Sequence, residues 1–123
     1  MSKIIVFGTG KYGKEAYDFF GDDNVLCFAD NNAALTGKYL YEKEIILPSD
    51  IQSHYKEYLI ILAAREELCI EMEYQLMKMG IENSLNFIFI RDYILSGRID
   101  FNEFIDRYLD DAYIYKLKYK QEL

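Results

Sequence analysis

The sequence has no tryptophan, one proline, one histidine and two cysteines among its 123 residues. With only His54, Cys27 and Cys69, the chain cannot assemble the three or four nitrogen and sulfur ligands of a usual zinc site. The same scarcity disfavours a Cys/His catalytic pair. Both cysteines lie in apolar stretches, which predicts buried, reduced thiols in a cytoplasmic protein. We therefore expect neither a metal site nor a disulfide.

Long apolar runs and a basic charge balance are also missing. No run approaches the ~18 residues of a membrane span, and no charged N-terminal segment is followed by a long apolar stretch, so we expect neither membrane insertion nor a signal peptide. The chain has 21 acidic and 14 basic side chains, a net charge of −7. Duplex DNA and anionic membranes need a basic protein surface, so nucleic acid is not an expected partner.

The composition is that of one soluble domain, with 51% hydrophobic and 28% charged residues. The sequence contains several short, continuous apolar runs, and such runs predict strands that are buried on both faces of a sheet. Strands alternate with helical patterns, which predicts an α/β fold with a mostly parallel sheet. Pro48 is expected to begin a short helix with Ser49 as its N-cap. The predicted strands are 3–7, 24–29, 58–64 and one within 81–90, with an irregular strand or hairpin over 37–47 and helices over 14–20 and 66–79.

The last third of the chain has a different pattern. We predict a boundary at residue 90, with residues 91–123 forming a helical extension of the domain over residues 1–90. Asp100 is the expected N-cap of a helix with one apolar stripe. The stripe predicts packing on the domain's own sheet; the alternatives are a partner chain, including a second copy, or a missing domain. The stripe consists of Phe101, Phe104, Ile105, Tyr108, Leu109 and Ala112.

A glycine-rich turn follows the first predicted strand. Gly8, Gly10 and Gly13 form the Gly-x-Gly-x-x-Gly pattern between a strand and a helix, as binding of a dinucleotide phosphate requires. Gly8 permits the tight turn, Gly10 lets a phosphate approach the backbone, and Gly13 lets the helix pack closely. Lys11 and Tyr12 either add a phosphate contact and a stacking surface or are ordinary residues of the first helical turn. The alternative for the whole turn is a packing role alone.

Two further segments are expected at the same edge of the sheet. Asp30 lies 17 residues after Gly13, at the end of the second strand, where a carboxylate can accept hydrogen bonds from a ribose. Ala63 and Ala64, at the end of the 58–64 strand, leave room for a ligand. Arg65 either pairs with a phosphate or forms a salt bridge with a glutamate of the following helix.

The chain resembles the N-terminal, Rossmann-like domain of PglD-type bacterial nucleotide-sugar acyltransferases, related to modules of other surface-polysaccharide enzymes. The resemblance rests on residues 4–14, 28–32, 35–38, 46–48, 58–64 and 76–81, and covers residues 3 to about 90. It implies a UDP-sugar ligand, with its diphosphate on the glycine turn. By position it implies a nucleotide- and phosphate-binding set of Gly8, Thr9, Gly10, Lys11, Tyr12, Gly13, Asp30, Asn31, Ala63, Ala64 and Arg65. The acyltransferases carry their chemistry on a following β-helix with a catalytic histidine, which has no counterpart here.

No catalytic residues are predicted. The pairs Tyr39/Lys43 and Tyr74/Lys78 match the spacing of the short-chain dehydrogenase dyad, but chance alone explains such matches in a chain with twelve tyrosines. The chain is expected to hold one mononucleotide-binding half plus a strand, which favours a mononucleotide or a nucleotide-sugar over NAD. Three hypotheses stay open: a nucleotide-sugar-binding module that serves a larger transferase, a small NAD(P)- or CoA-binding protein, and an interaction domain without a ligand.

Overall fold

The computed structural model describes residues 3–55 and 57–107. Within these residues, six strands form one sheet and five α-helices pack against it. In chain order the elements are β1 (Ile4–Phe7), α1 (Lys11–Phe20), β2 (Val25–Ala29), β3 (Tyr39–Leu40), β4 (Lys43–Ile46), α2 (Pro48–His54), β5 (Leu59–Leu62), α3 (Glu66–Lys78), β6 (Ser84–Asn86), α4 (Phe87–Leu95) and α5 (Phe101–Arg107).

The sheet has the strand order β3-β4-β2-β1-β5-β6. All neighbouring strands pair in parallel except β3 and β4, which form an antiparallel hairpin at one edge. Taken in chain order, the parallel strands are arranged 3-2-1-4-5, which is the Rossmann-like order, with its reversal point between β1 and β5. The predicted α/β fold with a mostly parallel sheet is confirmed. The described residues hold one mononucleotide-binding half plus two strands, one strand more than expected.

The sheet is buried on both faces because its central strands are apolar at every position. All residues of β1 and β5 are at most 1% exposed. Along β1, Ile4 and Val6 belong to one apolar core, while Ile5 and Phe7 belong to a second. The first core includes buried residues of α1, α4 and α5, and the second includes those of α2 and α3. The domain therefore has three layers.

The start of α2 differs from the prediction. Leu47, not Ser49, is the N-cap residue, and Pro48 occupies the first helical position. Proline is favoured there because its fixed φ suits the helix and its missing N–H would have no helical partner. The carboxylate of Asp50 accepts a hydrogen bond from the Leu47 N–H at 3.1 Å. The observed N-cap residue therefore lies two positions before the predicted one.

The helix α4 was not predicted from the sequence, because its apolar start resembles the buried strands. Only Ser84–Asn86 of the 81–90 segment forms a strand. The side chain of Asn86 then caps α4 by accepting a hydrogen bond from the Phe89 N–H at 3.1 Å. Residue 90, the predicted domain boundary, lies inside this helix, so the division of the chain remains a proposal.

The helix α5 packs on the domain's own core. As predicted, Asp100 caps it, with its carboxylate accepting hydrogen bonds from the N–H groups of Asn102 and Glu103. Phe104 and Ile105 are buried, and the Phe20 ring lies 6.0 Å from that of Phe104. The other predicted stripe residues, Tyr108, Leu109 and Ala112, lie outside the described residues.

Cys27 and Cys69 are buried and free, as the sequence predicted. Burial raises the pKa of the Cys27 thiol to about 12 and also raises that of Cys69. In the part of the chain that the structure describes, no cluster of potential metal ligands is found. Over the same residues, no helix combines the length and hydropathy needed to cross a membrane.

Candidate functional site

The turn between β1 and α1 contacts the loop between β5 and α3 at the reversal point of the sheet. Gly8 has a φ of +121°, and a Cβ at this position would collide with the backbone carbonyl oxygen of Ala63. The Gly8 N–H donates to the carbonyl of Ala29 at 2.8 Å, while the Ala63 N–H donates to the carbonyl of Phe7 at 2.9 Å. Ligands of open α/β sheets bind at this reversal point, beyond the carboxyl ends of the strands.

The other two glycines of the turn differ from each other. A Cβ on Gly13 would collide with the carbonyl oxygen of Gly8, so helix and turn approach too closely for any side chain there. Around Gly10, in contrast, a Cβ would meet nothing within 4 Å. Gly10 is exposed and is the N-cap residue of α1. The following N–H groups at the start of the helix have no intrahelical acceptor and can bind an anion.

Asp30 lies beside this turn, at the end of β2. Its Oδ2 accepts a hydrogen bond from the Thr9 hydroxyl at 2.8 Å, and its Oδ1 accepts one from the Asn32 N–H at 2.8 Å. The side chain is only half-buried. Because each carboxylate oxygen has two lone pairs, both can still accept a further hydrogen bond from a ligand hydroxyl. Thr9 thus orients the carboxylate toward the turn.

Asn31 has a partner that the sequence did not predict. Its Nδ2 donates to Oε1 of Gln75 at 3.0 Å, and the Gln75 Nε2 donates back to its Oδ1 at 2.8 Å. This reciprocal amide pair connects the end of β2 to the last turn of α3 across an exposed surface. Asn31 therefore holds two elements together, whether or not it also contacts a ligand.

The loop after β5 places two small side chains and one cation. Ala63 is buried, Ala64 is half-buried, and Arg65 is the N-cap residue of α3. The Arg65 Nε lies 3.8 Å from Oε2 of Glu67, with side chains that are 71% and 80% exposed. An exposed pair at this distance contributes little to stability, so the guanidinium is available to a ligand. Both alternatives for Arg65 thus fit its position.

A groove of about 790 Å³ lies beside the turn, bordered by the starts of α1, α3 and α4. It brings together the predicted residues Lys11, Tyr12 and Arg65, and it mixes charged, amide and apolar side chains. Its volume lies in the range of small-molecule sites. The remaining lining residues are Glu15, Glu66, Glu67, Ile70, Asn86, Ile88, Phe89 and Arg91.

Arg91 and Asn86 are the groove residues that sequence reasoning missed most clearly. The Arg91 guanidinium lies 5.6 Å from the centroid of the Phe87 ring, with Nη1 3.8 Å from Oε2 of Glu15 and Nε 3.1 Å from Oδ1 of Asp92. Its side chain is 30% exposed. An asparagine before an apolar run can cap a helix, and recognising that signal would have predicted a helix from residue 87, although not its position at the groove.

The two dehydrogenase-like pairs lie elsewhere. Tyr39 and Lys43 occupy the β3–β4 hairpin, where the Lys43 Nζ is 3.4 Å from Oδ1 of Asp22. Tyr74 and Lys78 lie on α3, with the Lys78 Nζ 4.5 Å from the centroid of the Tyr74 ring. Neither pair lines the groove formed by the described residues. Their spacing is explained by hairpin and helix contacts.

Comparison with known proteins shows the family and the fold. Residues 1–87 match the family described as C2185-like, N-terminal, and the chain belongs to this family. The match is not specifically to the PglD-type domain, so the Rossmann-like part of that resemblance is confirmed and the PglD-type part remains a prediction. No curated protein sequence gives a significant match.

Solved structures with the same fold have low sequence identity. RSP, a Rex-family repressor, has a TM-score of 0.53 and 18% identity over 70% of this chain and 44% of that chain. RSP in complex with NAD+ and operator DNA gives a TM-score of 0.52 and 14% identity, with 80% and 58% covered. UDP-D-quinovosamine 4-dehydrogenase from Vibrio fischeri gives a TM-score of 0.52 and 13% identity, with 81% and 88% covered. The chain thus spans less than half of the RSP chain in the first of these structures.

Proposed function

We propose that this member of the C2185-like N-terminal family binds a nucleotide, with the diphosphate group of the nucleotide at the turn between β1 and α1. The observation that carries the proposal is the open space around Gly10, between two glycines that internal contacts require. A turn that served packing alone would need Gly8 and Gly13 but not Gly10. The backbone N–H groups at the start of α1, which have no intrahelical acceptor, would bind the anion.

The nucleoside is proposed to lie on the Asp30 side of the turn. The oriented carboxylate of Asp30 would accept hydrogen bonds from the ribose hydroxyls, as acidic residues at this strand end do in Rossmann-like domains. Lys11 would lie beside the diphosphate and Tyr12 would offer a ring surface. Asn31, Ala63 and Ala64 would border the nucleotide on its other sides.

The groove is proposed to hold the second half of the ligand, and a sugar suits it best. Sugars are recognised through hydroxyls that need both donors and acceptors, and Asn86, Arg91 and Glu15 supply both. Phe89 adds an apolar surface. We therefore favour a UDP-sugar as the ligand, in line with the UDP-sugar named for the Vibrio fischeri structure.

NAD(P) is the second candidate, and the strand count favours it. The sheet has five parallel strands, two more than one mononucleotide-binding half contains. The strand count therefore excludes a dinucleotide less strongly than the sequence implied. RSP, which has the same fold, is named as a complex with NAD+. Coenzyme A and a domain that binds no nucleotide are the remaining alternatives.

The proposed biological role rests on the resemblance. The chain would act in the bacterial cytoplasm as the nucleotide-sugar-binding part of a surface-polysaccharide or glycan enzyme, either as a subunit or as a domain of a larger transferase. We do not expect it to be catalytic alone, since its groove combines recognition groups without an assigned nucleophile or proton-transfer pair.

A thermal-shift panel tests the ligand. UDP-N-acetylglucosamine, UDP, NAD, NADP and coenzyme A would each be added at a large excess over the expected dissociation constant. A ligand at about 100 times its dissociation constant adds about 2.7 kcal/mol of stability, which raises the Tm by several degrees. We expect a shift with the UDP compounds. A shift with NAD or coenzyme A alone would select the second candidate, and no shift with any compound would contradict nucleotide binding.

A further inference from the structure

The helix α3 carries more exposed large apolar side chains than any other element within the described residues. Ile70 is 65% exposed, Tyr74 is 61% exposed and Met77 is 52% exposed. Their i, i+4, i+7 spacing places them on one face of the helix. We call these three residues the α3 stripe. The helix buries a different face against the sheet, formed by Cys69, Met72 and Leu76.

Charged residues flank the α3 stripe in an asymmetric order. Glu67 and Glu71 lie toward the start of α3, and Lys78 lies at its end, all on the same flank of the stripe. All three are exposed. Two antiparallel copies, centred near Tyr74, would place Lys78 of one copy beside Glu67 and Glu71 of the other.

We propose that the α3 stripe is the contact between two copies of this chain, with their α3 helices antiparallel. The self-complementary charge order is the reason to favour a second copy over an unrelated partner, because it matches the two-fold symmetry of most homodimers. Ile70 also lines the groove, so the contact would adjoin the proposed ligand site. The proposal does not depend on what that site binds.

This surface differs from the stripe beginning at Phe101, for which a second copy was one alternative to packing on the domain itself. Phe104 and Ile105 of that stripe are buried in the domain, as its main interpretation predicted. Three apolar side chains from each copy form a small contact, so the dimer should be weak and should dissociate on dilution.

Sedimentation velocity of the full chain tests the proposal at concentrations from about 1 µM to about 1 mM, where weak dimers dissociate. We expect a concentration-dependent dimer, whose dissociation constant rises at least about tenfold in the double variant Tyr74→Ser, Met77→Gln. The control is Leu95→Ser on α4, which removes an apolar side chain that is at least as exposed from another surface. A wild-type chain that stays monomeric throughout, or a dimer that the double variant leaves unchanged, would overturn the proposal.

A charge exchange tests the antiparallel arrangement. Lys78→Glu should weaken the dimer several-fold, and adding Glu71→Lys in the same chain should restore it, since the two residues would face each other across the contact. Circular dichroism would verify that each variant is folded. Failure of the second substitution to restore association would overturn the antiparallel pairing.

Discussion

The two sides of the candidate site are built differently. On the turn side, backbone groups approach each other so closely that Gly8 and Gly13 have no room for a Cβ, and Asp30 is held by two hydrogen bonds. On the groove side, side chains rather than backbone form the surface, and Arg65 and Arg91 take part in ion pairs with N–O distances of 3.8 Å. In the proposed function, the turn side would bind the diphosphate that all candidate ligands share. The groove side would discriminate between those ligands.

The largest effect is expected on the turn side, from Gly13→Ala. Its Cβ would collide with the Gly8 carbonyl, so α1 must move away from the turn. We expect a loss of about 2–3 kcal/mol of unfolding free energy, the cost typical of overpacking in a rigid region. Chemical denaturation measures it.

The matched control is Gly10→Ala, which adds the same methyl group in open space. We expect it to lower the unfolding free energy by less than about 1 kcal/mol, because alanine is a poorer N-cap residue than glycine but meets no clash here. Equal losses in the two variants would mean that the two glycines do not differ as described.

The next effect concerns the oriented carboxylate. Asp30→Ala should weaken nucleotide binding by about 1–3 kcal/mol, because ribose hydroxyls would lose their acceptor. Thr9→Val should cost less, since it removes only the group that orients Asp30. Isothermal titration calorimetry compares the two variants, and an unchanged affinity in Asp30→Ala would remove Asp30 from the site.

The groove side should show a smaller and more selective effect. Arg91→Ala is expected to weaken binding of UDP-N-acetylglucosamine by about 1 kcal/mol, the net contribution of one hydrogen bond, while the affinity for UDP alone stays the same. Arg98→Ala is the control, because this exposed arginine stacks on Tyr93 and is not among the groove-lining residues. Equal losses for both ligands in Arg91→Ala would contradict the assignment of the groove to the sugar.

The smallest expected effect compares the two buried thiols. The pKa of Cys27, in the middle of β2, rises from its ordinary value of 9.0 to about 12 through burial. Above about pH 9 the unfolded chain therefore releases this proton while the folded chain keeps it, so stability falls as pH rises. Between pH 8 and 9.5 the loss should be below about 1 kcal/mol.

Alanine substitutions of the two thiols identify the source of this alkaline loss. Cys27→Ala should remove more of the pH dependence than Cys69→Ala, measured by urea denaturation at the two pH values. The pKa of Cys69 is also raised by burial, but hydrogen bonding by the Ala64 backbone opposes the rise. Identical pH slopes in the wild type and Cys27→Ala would contradict the role of Cys27.

The turn side was predictable from the sequence because its determinants are local. Gly8, Gly10 and Gly13 lie in six consecutive residues, and Asp30 ends an uninterrupted apolar run. The alternation of such runs with helical patterns was also sufficient to predict a mostly parallel sheet. Asn31 is the exception on this side, because its partner Gln75 is 44 residues away and nothing in the local sequence indicates the pair.

The groove side was not predictable in the same way, since three separated segments form it. The run Phe87–Ile90 has the composition of a buried strand, yet it begins a helix that the side chain of Asn86 caps. Periodicity over four apolar residues cannot separate these outcomes. The position of Arg91 at the groove therefore depends on tertiary structure and could not be predicted from the local sequence.

Titration calorimetry of Gly10→Val against the wild type tests the central claim most directly. The substitution fills the open space above the start of α1 without touching the core, so the domain should stay folded. We predict that binding of UDP-N-acetylglucosamine to the folded variant falls below detection. A folded Gly10→Val variant with wild-type affinity would contradict a phosphate site at this turn.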